Sequence, residues 1–96
     1  MNRQGLLRKL TELKPKVAAR YKVKEMGLFG SFVRGEEGEG SDVDILVDFE
    51  EQADLFDLVG LALFLEEELG QKVDIVPKRA LRAELRESVL REVVSL

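Results

Sequence analysis

The stretch Asp42-Val43-Asp44-Ile45-Leu46-Val47-Asp48-Phe49 alternates acidic and apolar side chains over most of its length. A two-residue period of this kind fits a β-strand with one face in a core and the other facing out. The rest of the chain falls into place around it. Val23 to Phe29 reads as an earlier strand ending at Gly30, and Lys72 to Val76 as a later, short one ended by Pro77. Helical spacing of Leu6, Leu7, Leu10, Leu13, Val17 and Ala18 predicts an opening helix over residues 3 to 20, with a kink or break at Pro15. Residues 54 to 69 read as the clearest helix, with Asp54 as N-cap and Gly70 as stop. The last residues predict a charged amphipathic helix with Leu81, Leu85, Val89 and Val93 on one face. The result is an α+β fold, a small three-stranded sheet, open to extension by further strands, covered by helices. Ninety-six residues suit one domain, 1–96, and not two.

Alternation puts Asp42 and Asp44 on the same face, with attachment points roughly 6.6 Å apart. Two carboxylates so placed repel one another unless a cation sits between or beside them. Turn chemistry at Asp42 and simple exposure of Asp44 would account for each separately. A calcium loop would not, because Ile45, Leu46 and Val47 follow at once where oxygen ligands are needed. Upstream, Gly30-Ser31 ends an apolar strand and opens a short turn through Phe32, Val33 and Arg34. Glycine there lets backbone approach a ligand, and amides at a helix start favour phosphate. Ser31 can cap that turn or offer its hydroxyl to a phosphate oxygen. Asp74, flanked by Val73 and Ile75, would complete a carboxylate triad if its strand lies beside Asp42–Phe49. Otherwise it is an exposed edge-strand aspartate. Asp48 reads as a charged strand end, and Gly35–Ser41 as an exposed acidic loop.

Composition narrows the chemistry. The chain has no Cys and no His, so thiolate nucleophiles, zinc–thiolate sites and imidazole bases are excluded. Carboxylates alone suit a hard cation such as Mg²⁺. A net charge of −4 argues against direct nucleic-acid binding. No apolar run is long enough to span a bilayer and no signal peptide is evident, so a cytoplasmic address is expected.

Together these residues resemble a known family. Gly30-Ser31, ten intervening residues and Asp42-Val43-Asp44 resemble the signature of the DNA polymerase β-like nucleotidyltransferase superfamily. The run Leu28-Phe29-Gly30-Ser31-Phe32-Val33-Arg34-Gly35 resembles its minimal (MNT) branch, and the likeness extends to Val73-Asp74-Ile75-Val76 and the Leu81–Val94 helix. The resemblance implies a mixed sheet and a two-metal mechanism. Asp42 and Asp44 would hold Mg²⁺ ions gripping ATP, and Gly30 and Ser31 would contact its β- and γ-phosphates. Asp74 would bind the second metal or take the proton of the attacking hydroxyl. Arg34 matches an arginine common at that place, to touch the triphosphate or tie down the acidic loop.

Members of the minimal branch are commonly antitoxins paired with an all-helical HEPN-type toxin, and some transfer AMP to a toxin tyrosine. The resemblance therefore implies such a partner, within a homo- or hetero-oligomer. A non-catalytic antitoxin acting by occlusion is the rival. Transfer to a small molecule would need an acceptor domain for which this chain has no room. Phe56, Leu61, Leu63 and Phe64 broaden the apolar face of the 54–69 helix beyond what covering a small sheet requires. Burial against another subunit and a deep fit against the sheet and last helix both explain that breadth. Arg79, Arg82, Arg86 and Arg91 read as a solvated helix face.

Overall fold

The structure, a computed structural model, describes residues 2–38 and 40–96. Its elements run α1 (Arg3–Tyr21), β1 (Val23–Phe29), α2 (Ser31–Arg34), β2 (Val43–Phe49) and α3 (Leu55–Leu69). Then follow β3 (Val73–Pro77), a 3₁₀ turn (Lys78–Ala80), α4 (Ala83–Glu92) and β4 (Val94–Ser95). The sheet order is β3-β2-β1-β4. β1 pairs antiparallel with β2 and β4, while β2 and β3 pair parallel, so the sheet is mixed.

Residue parity sorts the two faces of β2. Val43, Ile45, Val47 and Phe49 enter the main core with Leu6, Leu10, Leu13 and Val17 of α1 and Leu61, Leu65 and Leu69 of α3. Leu46 points the other way, into a smaller cluster with Leu81 and Val89, edged by Phe29, Val76 and Val93. In β1 the register shifts between Val23 and Glu25. That extra residue lets Val23 and Met26, three apart, both reach the main core. Each fully buried Leu or Val there contributes about 1.5–3 kcal/mol, whereas an exposed ion pair such as Glu87–Arg91 contributes about 0–1 kcal/mol. Packing of α1 and α3 on one face therefore holds the sheet.

Four expectations are corrected. The sheet has a fourth strand, because the final helix stops at Glu92 and Val93 turns extended. Ser95 and Val94 then pair with Gly27 and Leu28. Gly27 permits this, since a Cβ there would lie 2.5 Å from Val93 Cγ2 and 3.1 Å from the Val94 carbonyl. Leu81 and Val93 consequently flank α4 rather than belong to it. Pro15 does not break the first helix, which is continuous through it. Pro15 and Thr11 are exposed, so the carbonyl deprived of its donor can meet water while both halves bury one stripe on the sheet. Strand β2 opens at Val43, leaving Asp42 just outside it. The acidic loop is exposed at Gly35, Glu36, Gly38 and Gly40, as expected, with Glu39 outside the described residues.

The start of α3 is fixed by charge. Asp54 caps it, accepting from the Asp57 amide, and Asp57 returns the bond by accepting from the Asp54 amide at 3.0 Å. Asp57 is buried, and Lys22 Nζ donates to both its oxygens at 3.0 and 3.1 Å. Lys22 itself closes α1 in the left-handed conformation (φ 60°), and its carbonyl accepts from the Glu50 amide. One junction thus ties the ends of α1 and β2 to the start of α3. Hydrogen bonds from the Asp54 amide and then Lys22 hold the Asp57 carboxyl below the ordinary aspartate range. Because the folded-state value is lowered, its stabilisation is complete above the unfolded value and is lost as pH falls through the folded one.

Two outcomes follow. Asp57→Asn is less stable than the parent at neutral pH, and the difference shrinks as pH falls below about 4, read from urea midpoints across pH. Gly27→Ala costs about 1–3 kcal/mol by displacing β4, and hydrogen exchange at the Leu96 amide, which donates to Met26, accelerates.

Candidate active site

The site begins where β1 meets α2. Gly30 adopts φ 83°, a conformation that L side chains rarely tolerate, and a Cβ at this position would collide with Asp44 Oδ2. Phe29 pairs with Asp44 across β1 and β2. The backbone turn and the carboxylate therefore occupy adjoining space only because residue 30 lacks a side chain. The amides of Val33 and Arg34 close the α2 turn on the Gly30 carbonyl. Gly30, not Ser31, occupies the cap position, so Ser31 is the first helical residue and its hydroxyl does not serve as the cap.

The parallel pairing of β2 and β3 sets Asp44 directly opposite Asp74, with Val43 opposite Val73 and Ile45 opposite Ile75. Adjacent strands lie about 4.8 Å apart, so the two aspartates emerge side by side on the sheet face away from α1 and α3. Burial, and then the like charges of Asp74 and Asp42, push the Asp44 carboxyl above the ordinary aspartate range, with Arg34 opposing. Asp42 contributes to this field but borders a neighbouring hollow with Ser41, Gly70 and Lys72. Among the described residues no three acidic side chains converge as a ready-made metal cage. For Asp44 the strand alternation is as expected, its side chain leaving the face opposite Val43 and Ile45.

Asp44 and Asp74 lie in a cleft of about 430 Å³ with Gly30 at one edge. Val76, Leu81, Leu85 and Val89 supply an apolar wall, and Arg34, Arg82 and Glu92 its charged rim. Arg34 is held in place, its Nε donating to Glu36 at 2.8 Å and Nη1 to Glu92 at 2.6 Å. It thus ties the acidic loop and α4 to the turn after Gly30, which is the structural role weighed from sequence. Those carboxylates raise its already high pKa. Arg82, read from sequence as part of a solvated face, stands on the cleft. Arg79 lies away from the cleft, donating to the Phe49 carbonyl at 3.4 Å and remaining exposed. No sequence signal separates Arg82 or Glu92 from their neighbours, because the docking of α4 on the sheet is a tertiary fact.

A mixed sheet with a glycine at the turn beside paired strand aspartates has the donor types that transfer of a phosphorus-bearing group through a hard cation requires. The family model described as nucleotidyltransferase domain matches residues 10–96, and the chain belongs to that family. Among its relatives is protein adenylyltransferase MntA of Thermococcus cleftensis, 51% identical over 85 residues, which cover 88% of this chain and 86% of the relative. A solved structure described provisionally as a minimal nucleotidyltransferase superposes with a TM-score of 0.84 at 44% identity, covering 100% of this chain and 97% of the other. A crystal structure of a toxin–antitoxin with AMP-PNP superposes with a TM-score of 0.72 at 25% identity, covering 99% of this chain and 72% of that one.

The strain and like charge at this site have a measurable signature. Because the Asp44 value is raised, the fold loses stability as pH climbs from the unfolded value to the folded one. Asp44→Asn therefore unfolds at a higher temperature than the parent in EDTA at neutral pH, and the two converge below about pH 4. Gly30→Ala moves the other way, losing about 1–3 kcal/mol in the same assay.

Proposed function

We propose that this chain transfers the AMP group of ATP to a hydroxyl of a partner protein, a HEPN-type toxin, and so acts as its antitoxin. The observation that carries this is the registered pair Asp44 and Asp74, set in a cleft whose edge is a glycine pressed against one of the carboxylates. Likeness to a protein adenylyltransferase at 51% identity supports the reaction class. The acceptor oxygen bonds to the α-phosphorus, the bond to the β-phosphate oxygen breaks, and pyrophosphate leaves. The acceptor's proton passes to Asp74 or, through it, to water. The transferred group never bonds to the enzyme, so the lack of Cys and His is no obstacle.

The donor set fits Mg²⁺. Asp44 is a hard oxygen ligand whose charge is disfavoured by burial and by its acidic neighbours, and a divalent ion would relieve that repulsion. Asp44 and Asp74, with Asp42 at the margin, are the residues that would hold it. When bound, Mg²⁺ supplies charge neutralisation of the triphosphate. Gly30 and Ser31 line up the phosphates at the α2 turn, and Arg34 holds the loop and rim in place around them. The cytosol, where ATP is plentiful, is the compartment assigned to the reaction.

Incubation with labelled ATP, Mg²⁺ and a purified HEPN-type toxin, with the product of the neighbouring gene as the first candidate, tests the proposal. Label transfer to the toxin is expected, with a fall of about a hundredfold or more in Asp42→Asn and Asp44→Asn. Toxin neutralisation that persists in both variants without label transfer would establish occlusion in its place.

A further inference from the structure

The broad apolar face of α3 is not absorbed by the core. Leu61, Leu65 and Leu69 are buried, yet Leu55, Phe56, Val59 and Leu63 are 69%, 87%, 48% and 61% exposed. At 3.6 residues per turn, Phe56, Val59 and Leu63 form one stripe diametrically away from the buried side, with Leu55 at its head. Monomers seldom leave a contiguous patch of several hundred Å² uncovered without a use for it. Leu55 also borders a hollow of about 270 Å³ formed with Phe49, Ala53, Leu58, Pro77 and Arg79. The stripe thus runs into a socket able to seat one apolar side chain.

Charge selects the occupant. The head of the stripe is flanked by exposed Glu50, Glu51 and Asp54, and its tail by Glu67. Nearby cations are already engaged: Lys16 and Arg20 sit over the Phe64 ring at 5.9 and 5.4 Å, and Lys9 pairs with Glu68. Two copies meeting along this stripe would set acid against acid whether parallel or antiparallel, which disfavours self-association. An opposing surface with an apolar groove edged by Lys and Arg satisfies both features.

We propose that the outer face of α3 is the docking surface for the helical partner, through a partner groove edged with basic residues. This rests on the HEPN-type toxin being that partner. The face lies across the sheet from Asp44 and Asp74, so docking and chemistry use opposite sides of the molecule. Removing the stripe should then weaken binding and leave the transfer step intact.

Affinity for the toxin is measured for the parent and for Phe56→Ala, Leu63→Ala and Glu67→Lys, alongside unfolding temperature and label transfer at saturating toxin. Each variant is expected to bind about tenfold or more weakly, Glu67→Lys with a shallower salt dependence, while saturated transfer stays within about twofold of the parent. Labelling by the parent with unchanged affinity in Phe56→Ala overturns the docking face alone. Light scattering that finds a parent dimer dissolved by Phe56→Ala, at unchanged toxin affinity, assigns the face to a second copy and overturns it too. A parent chain that neither binds nor labels the toxin overturns this proposal and the function together.

Discussion

Parallel pairing between β2 and β3 is the constraint on which the site depends, because it fixes Asp44 opposite Asp74. Parallel neighbours cannot be joined by a tight turn, so the chain must cross over through a packed element. That element is α3, anchored by Leu61, Leu65 and Leu69 in the main core and started by the Asp54–Asp57 box. Lys22 then fastens the box to the α1–β1 junction. A register slip of one residue would turn Asp74 into the core and Val73 or Ile75 onto the cleft. The buried odd-numbered residues of β2, with the partly buried Val73 and Ile75 packed against that core, oppose the slip.

The face bearing the aspartates is built differently. It carries only a small apolar cluster around Leu46, Leu81 and Val89, and its packing is completed by α4 and the two-residue β4. On it the chain gathers like charges beside a glycine in a conformation unfavourable to other residues. Such an arrangement opposes stability in the ligand-free state, and the large core on the other face offsets it. Arg34 is the hinge between these demands. Held by Glu36 and Glu92, it is a structural clasp that also partly screens Asp44.

The two faces of the sheet therefore divide the work. One presents carboxylates beside the Gly30 turn. The other, through the outside of α3, presents an apolar stripe between acidic ends. An enzyme whose substrate is a protein needs both, since a hydroxyl on a large acceptor must be held by contacts away from the reacting atoms.

Local sequence was enough for much of this. The alternation around Asp42–Phe49, the Asp54 cap, the Gly70 stop and the Gly30-Ser31 turn are short-range features whose physics lies within a few residues. They determined the strands, the long helix and the candidate aspartates, and the family motif pointed to the class of chemistry. The tertiary structure decided the rest. It added β4, which is too short to show a period and exists because Gly27 leaves room for Val93 and Val94. It kept the first helix whole through Pro15, because packing of both halves on one sheet outweighs a lost hydrogen bond on the wet side. It brought Arg82 and Glu92 to the cleft, drew Arg34 into its clasp, and left Asp42 beside Asp44 and Asp74 rather than within one cage. Sequence periodicity fixes which way a side chain leaves its own strand or helix, whereas what it meets depends on segments far along the chain.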